Sequence, residues 1–131
     1  MKIAYPITLT PDGDFYVVFI PDFNLNTQGE SIAEAMEMAR DVIGMAGCYK
    51  QDEGKHLPTP SSTQDITVDA DTLLTLVDVD FTDYRRKHDN RTVRKNLTIP
   101  SWLNEEAEAA GLVFSDVLKK ALKRELNIYE R

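Results

Sequence analysis

The sequence predicts an α+β protein in two parts: a small, antiparallel-rich sheet with one main helix, then a shorter strand–helix–helix unit. The 131-residue chain is 42% hydrophobic and 28% charged, which is typical of one or two small folded domains. Apolar residues first alternate and then recur at helical spacing. Residues 1–84 carry 4 basic and 15 acidic side chains, net −11, and residues 85–131 carry 11 and 7, net +4. This asymmetry indicates either different partners or two domains that merely differ in charge.

Residues 1–20 predict a β-hairpin. Apolar side chains alternate over residues 3–9, so one face of the first strand should lie on a core. The PDGD sequence at 11–14 favours a turn, because it combines a fixed φ, side-chain caps and a glycine that accepts positive φ. FYVVFI at 15–20 is apolar on both faces, which suits a central strand. The alternating residues are Ile3, Tyr5, Ile7 and Leu9.

Ser31 is predicted to begin the main helix, after a short irregular or extended link. Ser31 and Glu34 fit a capping box, in which each side chain satisfies a free backbone N–H group of the first turn. Apolar residues then recur at intervals of three and four, as on one face of a helix. Gly47 is predicted to end this helix. The apolar positions are Ile32, Ala35, Met36, Ala39, Val42, Ile43 and Ala46.

The middle of the chain predicts a loop, a strand and a connector. Residues 49–65 are polar and rich in Pro and Ser, which favours a long loop. Residues 66–68 predict the start of a short strand, and residues 73–81 predict a strong one. Residues 83–90 are charged and predict a connector. One helix on a small sheet makes the first part an α+β unit.

The sequence predicts two domains, residues 1–84 and residues 91–131, joined by a linker over 85–90. The second domain opens with RTVRKNLTIP, an alternating strand that ends in proline. A short helix follows and is predicted to end at Gly111, and Ser115 is predicted to cap the last helix. A unit of about 40 residues is too small for a good core, so it needs a second copy of itself.

The predicted strand could read DNA if two chains pair. Two antiparallel copies form a ribbon with two faces, and such a ribbon fits the major groove. Its outward face offers an arginine, which pairs bidentately with guanine, and an asparagine, which pairs with adenine. An ordinary solvated strand face is the alternative. The outward residues are Thr92, Arg94, Asn96 and Thr98, and the inward residues are Val93, Lys95, Leu97 and Ile99.

Ser115 extends this candidate DNA surface, because free N–H groups at a helix N-terminus bind phosphate. Residues 91–128 resemble a ribbon-helix-helix repressor domain. The resemblance is carried by the polar alternating strand ending in proline, the helix, the glycine-containing turn and the serine at the start of the second helix. It implies a homodimer that binds operator DNA, and a palindromic operator would take two such dimers as a tetramer.

The first part resembles the HicB antitoxins. The resemblance is carried by the opening hairpin, Pro21 and Asp22 after the second strand, TQGES at 27–31, PTPSS at 58–62 and VDVDF at 77–81. It implies a partial RNase H-like domain that binds HicA, a small basic toxin that cuts mRNA with a histidine. It also implies that the C-terminal domain represses the shared operon.

An acidic first part suits a basic toxin, because opposite charge steers encounter and fixes orientation. The same carboxylates raise the alternative of a nuclease, since RNase H-like enzymes hold metal ions between several carboxylates. Asp78 and Asp80 share a strand face, whereas Asp12 and Asp14 fit turn chemistry. These positions lack a strong metal-ligand spacing, so we expect no catalysis. The candidate toxin contacts are Asp12, Asp22, Phe23, Asp78 and Asp80.

We expect no cofactor, no metal site and no membrane segment. No apolar run approaches the roughly 20 residues that cross a bilayer, and the N-terminus lacks a secretory pattern. Cys48 is the single cysteine, which predicts an indifferent thiol in a cytoplasmic setting. His56 and His88 are predicted surface histidines. Residues 85–87, RRK, fit either phosphate contacts or a solvated linker.

Three functions therefore stay open at the level of sequence. The first is an antitoxin that binds a HicA-like toxin through residues 1–84 and DNA through a dimer of residues 91–128. The second is a stand-alone regulator, whose first part senses a small ligand or oligomerises. The third is an RNase H-like nuclease.

Overall fold

The computed structural model describes residues 1–89 and 91–129. Asn90 falls in the predicted linker and Glu130 and Arg131 in the predicted second domain, and these three lie outside the described residues. The chain divides into two compact units, Met1–Arg91 and Thr92–Arg131. Residues 85–131 were predicted to be the basic part of the chain. In the structure, however, the three basic residues at 85–87 and Arg91 belong to the first unit. That unit has 8 Lys and Arg against 16 Asp and Glu, and the second has 7 against 6.

The first unit contains four strands and two helices. Residues Thr63–Asp65 add one short 3-10 turn. The strands are β1 (Lys2–Asp12), β2 (Phe15–Ile20), β3 (Leu25–Gly29) and β4 (Leu73–Asp80), and the helices are α1 (Ile32–Asp52) and α2 (Phe81–His88).

The four strands form one sheet in the order β3-β2-β1-β4, and each neighbouring pair is antiparallel. The predicted hairpin is confirmed as β1 and β2, and FYVVFI is confirmed as an internal strand. The link after β2 was predicted as irregular or extended, and its second half forms β3 along β2. The α+β class is therefore confirmed.

The core lies between one face of the sheet and α1. Strand alternation decides the buried set, because Tyr5, Ile7 and Leu9 point to α1 and are at most 1% exposed. The apolar face of α1, which follows from helical periodicity, forms the other side of the core. The remaining core residues are Val18, Ile20, Ala35, Ala39, Ile43, Val77, Val79 and Phe81.

On the opposite face of the sheet, the outward side chains of β2 are open to solvent. On β2 the alternate residues Phe15, Val17 and Phe19 are 41%, 37% and 37% exposed. The prediction that β2 is central in the sheet is correct, but only its Val18 and Ile20 side is covered. An apolar run does not by itself show that both faces are buried.

Gly47 does not end α1, which continues for five residues to Asp52. The glycine is instead a place of close packing. A Cβ atom on Gly47 would overlap the ring of Phe81, and a Cβ atom on Gly44 would overlap the ring of Tyr84. Both rings belong to α2, so the two glycines let α2 pack closely against α1.

The predicted connector at 83–90 is wrong over most of its length, because Phe81–His88 is helical. Asp80 caps this helix by accepting a hydrogen bond from the Asp83 N–H group at 3.1 Å. The Arg85 guanidinium donates to Asp52 Oδ1 at 2.9 Å, which joins α2 to the end of α1. The short strand predicted at 66–68 is also absent, since these residues are neither helix nor strand.

The second unit contains two helices, α3 (Ser101–Ala109) and α4 (Phe114–Glu125). Gly111 follows α3 with φ of +71°, and the Leu112 N–H group bonds back to the Ala107 carbonyl, so the predicted glycine stop is confirmed. Ser115 is not the cap of α4. The helix begins one residue earlier, and Val113 occupies the cap position without a side-chain hydrogen bond.

Residues 91–100, which were predicted to form a strand, are neither helix nor paired strand in the described single chain, so the ribbon stays a prediction. None of the described residues of the second unit is buried. Its apolar side chains stay accessible, including Val93 at 82% and Trp102 at 62%. In the described parts of both units, no helix combines the length and apolarity needed to cross a membrane.

Candidate interaction surfaces

Asp78 takes part in a structural charge cluster at the end of β4. Its carboxylate lies 3.5 Å from Lys2 Nζ and 3.5 Å from Arg40 Nε. The Arg40 Nε group also donates to the Asp78 carbonyl at 3.2 Å. The hydrogen bond from its own backbone N–H group, followed by the charge of Lys2, lowers the pKa of Asp78. Asp78 therefore joins β1, β4 and α1.

Asp80 is the cap of α2 and also lies 3.5 Å from the N-terminal ammonium of Met1. The Asp83 N–H group is the main cause that lowers the pKa of Asp80. The sequence alternative of a metal-dependent nuclease needs several free carboxylates at one point. Within residues 1–89 and 91–129, no three His, Cys, Asp or Glu side chains are arranged to hold a metal ion. Asp78 and Asp80 have structural partners that account for them.

Asp22 and Phe23 hold the proline-rich loop in place. Asp22 accepts hydrogen bonds from the Ser61 N–H group at 3.0 Å and from Ser61 Oγ at 2.5 Å. Phe23 packs edge-to-face on Tyr5, with ring centroids 5.0 Å apart. The Tyr5 hydroxyl donates to the Pro58 carbonyl at 2.7 Å, and burial, followed by the charge of Asp22, raises the pKa of Tyr5. The PTPSS loop is thus fastened to the sheet at two points.

Asp12 lies far from the other acidic candidates. It is the last residue of β1, in the exposed β1–β2 turn where Gly13 has φ of +60°. Lys2 of β1 lies opposite Asp80 of β4 in the register of the sheet, and Asp12 is ten residues further along β1. At ~3.3 Å per residue this separates Asp12 from Asp80 by roughly 30 Å. The five predicted toxin contacts are therefore distributed over three places and do not form one site.

The sequence prediction missed the open face of the sheet. Phe15, Val17 and Phe19 lie there in a row along β2. Their alternation with Val18 and Ile20 was visible, but an all-apolar run was interpreted as buried on both faces. A second signal was that residues 1–84 predict one main helix, which can cover only one face of the sheet.

A groove of about 700 Å³ runs between α1 and α2. Arg85 contributes to it and donates to Gln51 Oε1 at 3.1 Å and to the Cys48 carbonyl at 3.3 Å. Burial raises the pKa of the Cys48 thiol, which agrees with the predicted indifferent cysteine. His88 stacks on Tyr84 with ring centroids 4.0 Å apart. These polar groups therefore serve the packing of α1 against α2.

Arg91 and Asp89 form a fork at the end of the first unit. The guanidinium donates from Nε to Asp89 Oδ1 at 3.0 Å and from Nη2 to Oδ2 at 2.9 Å, and the Arg91 N–H group adds a bond at 3.1 Å. These hydrogen bonds lower the pKa of Asp89 to about 2. Arg91 is also the first residue of the stretch that was predicted to be the ribbon.

The predicted DNA-contacting side chains are accessible. Thr92, Arg94, Asn96 and Thr98 are all exposed, and so are the four inward-predicted residues that alternate with them. Ser115 lies in the first turn of α4, whose first internal bond runs from the Val117 N–H group to the Val113 carbonyl. The Ser115 N–H group is therefore at the end of the helix that leaves donors available to a phosphate.

Comparison with known proteins gives consistent results. A family profile described as "HicB_like antitoxin of bacterial toxin-antitoxin system" matches residues 5–118. "Antitoxin HicB" of Escherichia coli, in strains K12 and O157:H7, is 41% identical over 61 residues, which is 45% of this chain. The match spans 44% of the length of these relatives, so it covers less than half of them.

Two solved structures are also similar. A chain of the "Toxin-Antitoxin complex from Streptococcus pneumoniae" matches with a TM-score of 0.62 and 26% identity, over 95% of this chain and 99% of that chain. The Burkholderia pseudomallei antitoxin HicB matches with a TM-score of 0.53 and 22% identity, over 98% and 99%, and shows the fold alone. Since the family profile covers most of the sequence, the chain belongs to the HicB_like antitoxin family of bacterial toxin–antitoxin systems.

Proposed function

We propose that this antitoxin binds and neutralises a small, basic HicA-like toxin through its first unit, and that it represses its own operon through a dimer of its second unit. The family match over residues 5–118 carries the proposal, because it runs through both units. The similar chain from Streptococcus pneumoniae was solved in a toxin–antitoxin complex. The likeness of the first unit to RNase H stays a prediction from the family resemblance.

Charge supports the toxin half of the proposal. The first unit has 16 acidic and 8 basic side chains, so it attracts a basic protein at long range. A protein that binds RNA is basic because it must neutralise phosphates. An acidic antitoxin therefore competes with RNA for the same kind of surface.

The second unit supports the DNA half. Its described residues include no buried side chain, so its apolar residues need an outside surface. A second copy supplies that surface and pairs residues 91–100 into a ribbon. The side of this ribbon that bears Arg94 and Asn96 then faces the major groove, and the side that bears Val93 and Leu97 faces the helices. The dimer is the unit that binds one half-site, and two dimers bind a palindrome.

The test is co-expression with the genes that flank this one, followed by purification through a tag on the antitoxin. A stoichiometric complex that protects reporter mRNA supports the toxin half. A gel-shift assay of the same preparation on its own promoter then tests the DNA half. Promoter binding without any captured basic protein would instead favour a stand-alone regulator.

A further inference from the structure

We propose that the toxin docks on the open face of the sheet, along β2, and not on the helices of the first unit. The open face consists of Phe15, Val17 and Phe19 on β2 with their outward neighbours on β1 and β4. Register defines these neighbours: Phe19 pairs with Thr8, Thr8 pairs with Leu74, and Val17 pairs with Thr10. This inference rests on the proposed function and adds to it the place and chemistry of the interface.

The open face is bounded by a loop that forms one wall of a groove. The Thr10 and Thr72 hydroxyls share a hydrogen bond of 3.0 Å, which ties the end of this loop to β1. The groove has a volume of about 410 Å³. Its floor and near wall contain Thr8, Thr10, Phe19 and Pro21, and its far wall contains residues 65–69 and Thr72.

The far wall is apolar near the floor and acidic at the rim. Ile66 and Val68 are half-buried against the groove, whereas Asp65 and Asp69 are exposed. Such a site suits a lysine or arginine side chain, whose aliphatic stem packs on apolar surface while its charged end meets carboxylates. The ring of Phe19 adds a surface on which a guanidinium can stack.

The distribution of basic residues separates this face from the rest of the unit. The sequence contains no Lys or Arg between Lys2 and Arg40, and none between Lys55 and Arg85. The sheet and the loop over it therefore carry only Lys2, at the far end of β1. The other basic residues of the unit lie on α1, on α2 or directly after them.

Further acidic residues lie at the end of the sheet that is away from Lys2. Asp12 and Asp14 lie in the β1–β2 turn, and Asp69 and Asp71 precede β4. Because Thr10 is bonded to Thr72, these two segments are neighbours. An apolar row with an acidic rim, at the end of the sheet away from Lys2, is complementary to a basic protein, whereas the helical face carries both signs of charge.

The experiment uses the 131-residue protein and the purified basic toxin that the co-expression test captures. The variant Val17→Thr/Phe19→Thr removes apolar contact and keeps residues that favour strands. The variant Asp65→Asn/Asp69→Asn removes the rim charges and leaves the core untouched. A matched control, Met45→Gln/Tyr49→Gln, removes two exposed apolar side chains from α1. Circular dichroism checks that each variant is folded.

We expect the open-face variant to weaken toxin binding by at least about tenfold and the rim variant by about three- to tenfold, mostly through a slower association rate. The control should stay within about twofold. Wild-type affinity in both the open-face variant and the rim variant would overturn this inference and leave the proposed function standing, and a loss in the α1 control would then place the interface on the helices. Absence of binding by the wild type would overturn both.

Discussion

Gly47 lies directly against the ring of Phe81, with no room for a side chain between them. The glycine is in the middle of α1, and the phenylalanine is the first residue of α2 and is 2% exposed. The contact explains why a helix interior tolerates a residue of poor helix propensity. It also makes this position sensitive to the smallest possible change.

Gly47→Ala should therefore destabilise the protein, although alanine favours a helix by roughly 1 kcal/mol. Overpacking against a buried ring costs about 1–3 kcal/mol and should exceed that gain. Urea unfolding of the variant measures the free energy. In the double variant with Phe81→Leu, the smaller side chain should recover part of the loss, so the two changes should not be additive. Additive effects would show that the ring is not the obstacle.

Ser31→Ala should lower the stability of the first unit by about 1 kcal/mol. Ser31 Oγ accepts a hydrogen bond from the Glu34 N–H group at 3.0 Å, and its loss leaves that donor unpaired. Ser31→Asp is the matched control, because a carboxylate accepts the same bond and suits the N-terminal end of a helix. Thermal or urea unfolding distinguishes the two variants. Equal losses in both would indicate that the hydroxyl acts in another way.

The Asp89 carboxyl should titrate at a pH of about 2 in an NMR pH titration. Its folded pKa lies below the unfolded value of about 3.9, so its contribution to stability is complete above that pH and is lost as pH falls through about 2. Arg91→Gln should raise the pKa back toward the ordinary range. Arg86→Gln removes the same charge from α2 and should leave the Asp89 titration nearly unchanged. A wild-type pKa near 4 would contradict the fork.

Arg94→Ala and Asn96→Ala should each weaken binding to the operator by about ten- to hundredfold and relax base preference at one position. Lys95→Ala is the matched control. It removes a positive charge from the alternate side of the same strand, so its effect should be smaller and similar on every DNA sequence. Fluorescence anisotropy with operator and scrambled DNA measures both quantities. A larger loss for Lys95→Ala would reverse the assignment of the two faces.

The fold of the second unit should depend on protein concentration. Trp102 is the only tryptophan and is 62% exposed in the single chain, so pairing with a second copy should shift its emission to shorter wavelength. The melting temperature should rise with concentration, because association stabilises the folded form by mass action. Sedimentation over the same range gives the oligomeric state. A constant spectrum and melting temperature at all concentrations would contradict the dimer.

Much of the fold followed from short-range patterns. The alternation in β1, the turn at Gly13 and the serine cap of α1 each satisfied a local rule, and the structure confirms them. Gly47 was misinterpreted because a glycine that ends a helix and a glycine that admits a neighbouring ring look alike in sequence. The helix α2 was missed because many of its residues are charged, which is typical of a connector. Two aromatic residues, Phe81 and Tyr84, pack it against α1.

The candidate surfaces were harder to predict, since they depend on which elements meet. Asp78 and Asp80 were chosen as carboxylates on one strand face, but Lys2, Arg40 and the start of α2 engage them. The open face of the sheet depends on what does not cover β2, which no local pattern reports. The predicted roles of Arg94 and Asn96 stay predictions, because a single chain leaves both faces of that stretch exposed.

The unpaired stretch at 91–100 has a consequence for turnover in the cell. In a lone chain no second strand pairs with these residues, and an accessible extended segment is a target for proteases. If the proposed dimer forms, pairing removes that target. The half-life of the protein would then increase with its own abundance, so a modest fall in synthesis would be amplified into a steeper loss of antitoxin.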